Sequence, residues 1–216
     1  MSVTLHTYWR SSAAWRVRIA LALKGVAYDA VPVHLLRGGG EQRADAYRAL
    51  NPQGLVPLLT DGDETISQSL AIIEYLDETR LEPPLLPRSA AGRARVRALA
   101  AVVACDVHPL NNLRVLQHLA AQFGADDAAK GAWMRRWIGD GFAALEAMLA
   151  PDPRTGACCH GDAPTLADLC LVPQMFNARR FDVDLAPYPT LVRIDAHCSA
   201  LAAFRETAPD RQPDAE

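Results

Sequence analysis

The fold is decided by residues 3–23, which read VTLHTYWRSSAAWRVRIALAL. Residues 3–8 are rich in β-branched and aromatic side chains, which indicates a short strand. From residue 12 to residue 24 apolar side chains recur at helical spacing, and Gly25 supplies a C-terminal cap. A strand that runs through a polar turn into a helix predicts an α/β domain at the start of the chain.

The alternation of strands and helices continues to a proline-rich linker, Pro83-Pro84-Leu85-Leu86-Pro87. The predicted elements are a strand at 28–35, a short helix at 41–50, a hairpin at 55–60 and 65–67, and a helix at 69–79. Beyond the linker the sequence is alanine-rich, and the main predicted helices lie at 90–120, 126–149, 165–179 and 190–206. We therefore expect an α/β domain at 1–82 and an all-α domain at 88–216, whose polar end, 210–216, is loose.

Composition excludes several classes of function. The 216 residues carry a formal net charge of −3, so there is no basic excess to bind the phosphates of a nucleic acid. No apolar run reaches the ~18 residues of a membrane span, and the N-terminus lacks the pattern of a signal peptide. Five cysteines without a C-x-x-C pair predict reduced thiols and a cytoplasmic location. Cys158, Cys159 and His160 are adjacent, but their spacing matches no zinc pattern, so we expect no metal site.

Three polar motifs of the N-terminal domain can carry chemistry. Ser11 stands at the start of the first helix, where it is either a plain N-cap or a donor that holds a thiolate and lowers the pKa of the thiol. Val56 precedes Pro57, which marks either an ordinary turn or a cis bond that presents the Val56 backbone to an extended peptide. Gln68-Ser69 precedes another helix, and Ser69 there either caps the helix or holds a carboxylate.

In combination, these motifs resemble the zeta class of glutathione transferases, which includes maleylacetoacetate and maleylpyruvate isomerases. The matching stretches are Arg10-Ser11-Ser12 with 15–21, Asn51-Pro52-Gln53 with Val56-Pro57, then 68–76, 166–174, Arg180-Phe181, 184–189 and Arg211-Gln212-Pro213. The resemblance covers nearly the whole chain. It implies a thioredoxin-like N-terminal domain, an all-helical C-terminal domain and glutathione as the cofactor. The segment 106–112 is most similar to the maleylpyruvate isomerases.

The resemblance also implies which residues form the site. Glutathione is expected at Ser11, Ser12, Gln42, Val56, Gln68, Ser69, His108 and Asn112, with Asp106 reaching the glutathione amine of the neighbouring subunit. The carboxylates of a dicarboxylate substrate are expected at Arg10, Arg114 and Arg180, although each arginine taken singly is equally explained as a solvated charge. Ser11 and Arg10 are the expected catalytic residues. In contrast, Thr165-Leu166-Ala167-Asp168 is interpreted as a structural N-capping pattern.

The implied activity is the isomerisation of a maleyl diketo acid to its fumaryl isomer: glutathione thiolate adds to the cis double bond, the bond rotates, and elimination follows. Arginines suit a dianionic substrate because they bind carboxylates through paired hydrogen bonds. Many zeta enzymes carry a cysteine where this chain has Ala13, so no protein thiol can act at that position. Two alternatives stay open, a detoxifying transferase or dehalogenase with a more apolar second pocket and a non-catalytic interaction module. The choice between maleylpyruvate and maleylacetoacetate also stays open.

A homodimer is the expected assembly. The resemblance implies it, and the Ala-rich helix after the linker carries Leu99, Val102 and Val103, which we expect to be exposed and to form a two-fold interface. Such an interface would bring Asp106 near the glutathione of the partner.

Overall fold

The computed structural model describes residues 2–216, which form two compact units. One unit consists of residues 2–85 together with Leu201–Glu216, and the other is Leu86–Ala200. These units differ from the expected domains, 1–82 and 88–216, chiefly at the C-terminus, where the last residues cluster with the N-terminal unit. Met1 lies outside the described residues.

The first unit is built on a four-stranded mixed sheet of order β2-β1-β3-β4. Its elements are β1 (Val3–Thr7), α1 (Ser12–Leu23), β2 (Tyr28–Pro32), α2 (Asp45–Leu50), β3 (Leu58–Asp61), β4 (Glu64–Ser67) and α3 (Ser69–Thr79). Strand β1 pairs in parallel with β2 and antiparallel with β3, and β3 pairs antiparallel with β4. The predicted α/β fold is confirmed. The strands β2 and β3 are shorter than expected: β2 ends at Pro32, opposite the last residue of β1, and β3 begins after Pro57, which cannot donate to the sheet.

Helices α1 and α3 pack against each other beside this sheet. Helix α1 buries Val17, Ile19 and Leu21 completely, which agrees with the broad apolar face of this helix in the sequence. It also buries Arg16 and Arg18, each with at most 1% of its surface exposed. Buried guanidinium groups need hydrogen-bond acceptors, and those acceptors lie on the polar turns described below.

Lys24, at the C-terminal end of α1, holds neighbouring segments of the first unit together through hydrogen bonds. Its Nζ donates to Asp77 Oδ1 at 2.7 Å, to the Arg80 carbonyl at 2.7 Å and to the Pro83 carbonyl at 2.6 Å. Asp77 Oδ1 also accepts the Leu85 amide at 2.7 Å. The ammonium group therefore ties α1 to the C-terminal end of α3 and to the linker, and all three of its donors are used.

The expectation that residues 210–216 are loose is wrong. Helix α10 (Ala202–Arg205) and a 3-10 turn at Pro209–Arg211 precede them. Thr207 accepts Trp15 Nε1 at its hydroxyl, 3.1 Å away, and Arg18 Nε at its carbonyl, 3.2 Å away. Asp214 accepts the Trp9 amide at 3.0 Å. Local composition favoured disorder, but hydrogen bonds to residues at the far end of the sequence fix this tail.

The second unit is helical, as predicted. Its elements are α4 (Ala90–Ala101), a π-helical segment (Val102–Val107), α5 (His108–Leu110), α6 (Leu113–Phe123), α7 (Asp127–Leu149), α8 (Leu166–Arg180) and α9 (Pro189–Ala200). The predicted block 90–120 is thus divided by the π-helical segment and by the turn after α5. Within residues 2–216, no helix has both the length and the apolar character needed to span a membrane.

The expected exposure of Leu99 and Val103 is wrong. Each exposes only 1% of its surface, and Val102 is half-buried. These side chains belong to the core of the helical unit, where α4 packs on α8 and the π-helical segment packs on α7. They therefore give no support to a dimer interface.

Candidate functional site

Ser11 lies in the turn between β1 and α1. Its amide donates to the Tyr8 carbonyl at 3.0 Å, and its hydroxyl oxygen accepts the Ala14 amide at 3.2 Å. Ser11 is therefore the N-cap of α1, and Ser12 is the first residue of that helix. Because a serine hydroxyl has one donor hydrogen besides its acceptor lone pairs, the capping bond leaves its O–H able to donate to a thiolate. The capping and the functional interpretations are compatible.

The buried side chain of Arg18 donates hydrogen bonds to residues of this turn. Its Nη1 donates to Thr7 Oγ1 at 3.0 Å and to the Tyr8 carbonyl at 3.3 Å, and its Nη2 donates to the Trp9 carbonyl at 2.9 Å. Burial lowers the pKa of Arg18 to about 10, which leaves it charged at neutral pH. Our sequence reasoning missed this residue, although an arginine within the apolar periodicity of α1 is a signal for it.

Arg10 packs on its neighbour. Its guanidinium carbon lies 5.1 Å from the centre of the Trp9 ring, within the range of a cation–π contact. The orientation of Arg10 therefore depends on the position of Trp9.

Gln42 and Val56 lie in the loops that follow β2 and precede β3. Gln42 is buried, and its Nε2 donates to the Leu35 carbonyl at 3.3 Å. Its Oε1 has no hydrogen-bond partner among residues 2–216. The Leu55 carbonyl accepts Tyr47 Oη at 2.7 Å and Asn51 Nδ2 at 2.8 Å, which fixes the peptide that enters Val56. The Val56–Pro57 bond is cis.

Gln68 and Ser69 form the start of α3. Gln68 has φ of 71° and ψ of 116°, a backbone conformation that non-glycine residues adopt at a cost of about 1–3 kcal/mol. Its Nε2 donates to Gln53 Oε1 at 2.8 Å, and no side chain caps α3. Ser69 is buried, and its Oγ accepts Arg16 Nη1 at 3.2 Å. The start of α3 thus combines an uncapped helix N-terminus with a buried positive charge, which suits an anion.

Four of the five expected residues of the second unit lie in and around the π-helical segment, Val102–Val107. Asp106 is exposed within it, and His108 begins α5 directly after it. Asn112 caps α6, since its Oδ1 accepts the Arg114 amide at 3.1 Å. Arg114 is exposed on α6. A π-helical segment is rare and frequently marks a functional site, and no local pattern in residues 102–107 predicts this one.

Arg180 is the last residue of α8. It is exposed, and its guanidinium carbon lies 5.1 Å from the centre of the Phe181 ring. The helix predicted at 165–179 ends next to Arg180, so this placement at a helix end is expected. A positive side chain there also interacts favourably with the helix dipole.

Thr165 and Asp168 form the predicted capping box of α8. Asp168 Oδ2 accepts the Thr165 amide and hydroxyl, each at 2.8 Å, and Oδ1 accepts the Cys159 amide at 2.7 Å. The thiols of Cys158 and Cys198 approach this carboxylate, and the three potential metal-ligand atoms lie within 4.8 Å of one another. The carboxylate is already satisfied by capping donors, so the cluster is explained as part of the helical core.

His160, adjacent to the two cysteines, faces the buried end of Arg95 instead. Its Nδ1 is 3.3 Å from Arg95 Nη1, and Arg95 also donates to Asp152 Oδ2, the Cys159 carbonyl and Thr155 Oγ1. Since a guanidinium nitrogen only donates, His160 Nδ1 must accept this bond. Burial is the main cause that lowers the pKa of His160, with Arg95 next.

Residues 10–79 match the family model described as glutathione S-transferase, N-terminal domain. A maleylpyruvate isomerase from Ralstonia sp is 55% identical over 97% of this chain and 98% of its own length. A maleylacetoacetate isomerase from Rhizobium meliloti is 56% identical over 96% of each chain. A solved structure described as the holo form of maleyl pyruvate isomerase, a bacterial glutathione S-transferase in the zeta class, aligns with a TM-score of 0.96 at 54% identity, covering 99% of this chain and 100% of that one.

The chain belongs to the zeta class of the glutathione transferases. A second solved member, maleylacetoacetate isomerase from Methylobacterium extorquens AM1, contains bound malonate and glutathione. It aligns with a TM-score of 0.95 at 44% identity over 99% of both chains. The family resemblance, the fold and the use of glutathione by the family are thereby confirmed.

Proposed function

We propose that this zeta-class chain catalyses the glutathione-dependent cis–trans isomerisation of a maleyl diketo acid, maleylpyruvate or maleylacetoacetate, to its fumaryl isomer. The observation that carries the proposal is the identity above one half, over nearly the full length, to relatives named for both of these activities. The proposal places the chain in the catabolism of aromatic compounds, which is tyrosine degradation if maleylacetoacetate is the better substrate.

The first unit fits glutathione at three places. The uncapped start of α3, with Ser69 and the charge of Arg16, suits a carboxylate. Because Arg16 occupies a lone pair of Ser69 Oγ, the hydroxyl hydrogen is free to point toward that carboxylate. The peptide before Pro57 is held rigidly and can pair its backbone with an extended peptide. The buried Oε1 of Gln42 is an acceptor that awaits a donor.

Ser11 would act on the sulfur. Bound glutathione supplies a thiolate, which adds reversibly to the double bond and so permits rotation. A hydroxyl hydrogen bond to that thiolate contributes about 1.5–3 kcal/mol, and the helix N-terminus adds about 0.3–1 kcal/mol. Ser12 offers the adjacent hydroxyl at the first position of α1. These contributions favour the ionised sulfur at neutral pH.

The arginines would bind the second substrate. Arg10 of the first unit, and Arg114 and Arg180 of the second, are proposed ligands of its two carboxylates. Binding of the substrate alone does not accelerate the reaction. The arginines must therefore bind the transition state, in which negative charge develops on the diketo group, more strongly than they bind the substrate. The dicarboxylate malonate bound with glutathione in a solved member supports a site of this charge. Asp106, His108 and Asn112 remain proposed glutathione contacts of the helical unit.

We also propose that the chain works as a homodimer in the cytoplasm. The family resemblance supports the dimer, with Asp106 directed to the partner's glutathione. The five cysteines form no disulfide among residues 2–216, which agrees with a reducing compartment.

The test is a side-by-side measurement of kcat/KM for maleylpyruvate and maleylacetoacetate with glutathione. A neutral electrophile is measured as a third substrate. We expect kcat/KM for isomerisation of at least one of the two acids to exceed kcat/KM for conjugation of the neutral electrophile. Conjugation that equals or exceeds isomerisation of both acids would instead support the detoxifying transferase, and no turnover of any substrate would support the non-catalytic module.

A further inference from the structure

The end of the chain reaches the turn that carries Ser11. Asp214 Oδ2 accepts the amide of Trp9 at 3.0 Å, across 205 positions of sequence. Trp9 directly precedes Arg10 and Ser11. The Asp214 carboxylate therefore binds the backbone at the residue next to the proposed catalytic residues. Asp214 itself is half-buried.

Trp9 is consequently held on both sides of its peptide backbone. Its N–H donates to Asp214, and its carbonyl accepts Arg18 Nη2 at 2.9 Å. The Ser11 amide closes the turn on the Tyr8 carbonyl at 3.0 Å. The Arg10 guanidinium packs on the Trp9 ring, so the direction of Arg10 follows that of Trp9. Of these supports, Asp214 is the one supplied by the C-terminal tail.

The tail is anchored well enough to place this carboxylate. Thr207 is fixed by Trp15 and Arg18, and Gln212 Nε2 donates to the Ala208 carbonyl at 3.1 Å. The Ala215 amide donates to the Gln212 carbonyl at 3.1 Å, which closes a turn around Asp214. Beyond it, Glu216 Oε1 lies 3.2 Å from both His34 Nε2 and Arg37 Nη2. The tail therefore contacts both the Ser11 turn and the loop that leads to Gln42.

We propose that Asp214 is a positioning residue for residues 9–11: by holding the Trp9 amide, it sets the directions of the Ser11 hydroxyl and the Arg10 guanidinium. The inference rests on the proposed function. Asp214 need not touch glutathione or substrate, because its influence passes through the Trp9 backbone. A carboxylate that accepts a backbone N–H forms a charge-assisted bond, stronger than a neutral one, which suits this task.

The test compares Asp214→Ala, Asp214→Asn and the control Asp210→Asn. Asp210 belongs to the same tail but is exposed, and its Oδ2 lies 4.0 Å from Arg211 Nε. We expect Asp214→Ala to lower kcat/KM for isomerisation about 5- to 30-fold, mainly through kcat. The acid limb of its pH profile should move to higher pH, because a displaced Ser11 stabilises the thiolate less. Asp214→Asn keeps an oxygen acceptor but makes only the weaker neutral bond, so its activity and pH profile should lie between those of Asp214→Ala and the wild type.

Several outcomes would overturn the inference. One is an Asp214→Ala enzyme that matches Asp210→Asn in kcat/KM and pH profile, or that loses only thermal stability. Another is equal impairment of Asp214→Asn and Asp214→Ala. If Asp214→Ala does not fold, Asp214→Glu keeps the charge but displaces the carboxylate by one methylene, and it should show the same shift of the acid limb. A wild-type chain without isomerase activity contradicts the proposed function instead, so the two failures are distinguishable.

Discussion

The buried guanidinium of Arg16 in α1 donates to Ser69 Oγ, the first side chain of α3, at 3.2 Å. We expect Ser69→Ala to raise KM for glutathione about 10-fold or more, with a smaller effect on kcat, because the carboxylate loses a donor backed by positive charge. Steady-state kinetics with glutathione as the varied substrate measure this. Ser89→Ala is the matched control, since Ser89 caps α4 by accepting the Gly92 amide at 3.1 Å. An unchanged KM for glutathione in Ser69→Ala would show that the glutathione carboxylate does not bind at the start of α3.

Ser11 has two roles in our account, and substitution separates them. Ser11→Ala should cost about 1 kcal/mol of stability through loss of the N-cap, comparable to Ser89→Ala. It should also lower isomerase activity about 10- to 100-fold, which the control does not. Activity assays, urea unfolding and titration of the bound thiol give the three values. Full activity with an unchanged pKa of the bound thiol would leave Ser11 as an N-cap only, and Ser12 would become the next candidate.

The arginines separate an isomerase from a general transferase. Arg114→Ala or Arg180→Ala should each reduce kcat/KM for maleylpyruvate about 30-fold or more, because a bound carboxylate loses its partner. Conjugation of a neutral electrophile should scarcely change. The control is Arg136→Ala, an exposed residue of α7 that pairs with Asp140 at 2.8 Å. Equal losses for the charged and the neutral substrate would contradict carboxylate binding by these residues.

Lys24 should be among the most sensitive positions for stability. Its ammonium group is fully buried and donates to Asp77 and to two carbonyls. Lys24→Met leaves Asp77 without its charge partner, which we expect to cost about 3–5 kcal/mol in the free energy of unfolding. Urea denaturation measures this loss. Lys130→Met, which breaks an exposed pair with Asp127, should change little, and comparable losses in both variants would argue against the anchoring role of Lys24.

The lowered pKa of His160 predicts how the stability of the folded chain depends on pH. Its pKa in the folded chain is lowered by burial and by Arg95, whereas the unfolded chain has the ordinary value of about 6.5. Between the folded and the unfolded pKa of His160, the unfolded state binds more protons than the folded state. The stability that neutral His160 contributes is therefore present above about pH 6.5 and is lost as pH falls through the folded pKa. We expect the thermal midpoint to fall between about pH 7.5 and pH 5.5, and to fall less in His160→Gln. The exposed His118→Gln should follow the wild type; identical slopes in all three would count against His160.

Local periodicity and turn chemistry predicted the strands, the helices and the position of Ser11. They also predicted the capping box of Thr165 and Asp168, because its donors and acceptors lie within one helical turn. Arg16 and Arg18 were missed because a charged side chain inside a helix is usually at the surface. Their burial depends on acceptors supplied by other elements, such as Ser69 and Thr207.

Features set by distant contacts could not be predicted. The tail has the composition of a flexible terminus, yet Asp214 bonds to Trp9. The apolar residues Leu99 and Val103 have the same helical spacing whether they face a partner or the core, and only the packing of α4 and of the π-helical segment shows that they face the core. The positive φ of Gln68 likewise has no local signal, because glycine or asparagine is the usual residue there.

The hydrogen bonds from Trp15 and Arg18 to Thr207 have a consequence during biosynthesis. Domains generally fold in the order in which the ribosome makes them, and the sheet of the first unit is translated early. The buried guanidinium of Arg18, however, finds its Thr207 acceptor only after the helical unit, Leu86–Ala200, has been translated. The nascent N-terminal unit therefore lacks these hydrogen bonds while the helical unit is being made, and it completes them only after that unit has been translated.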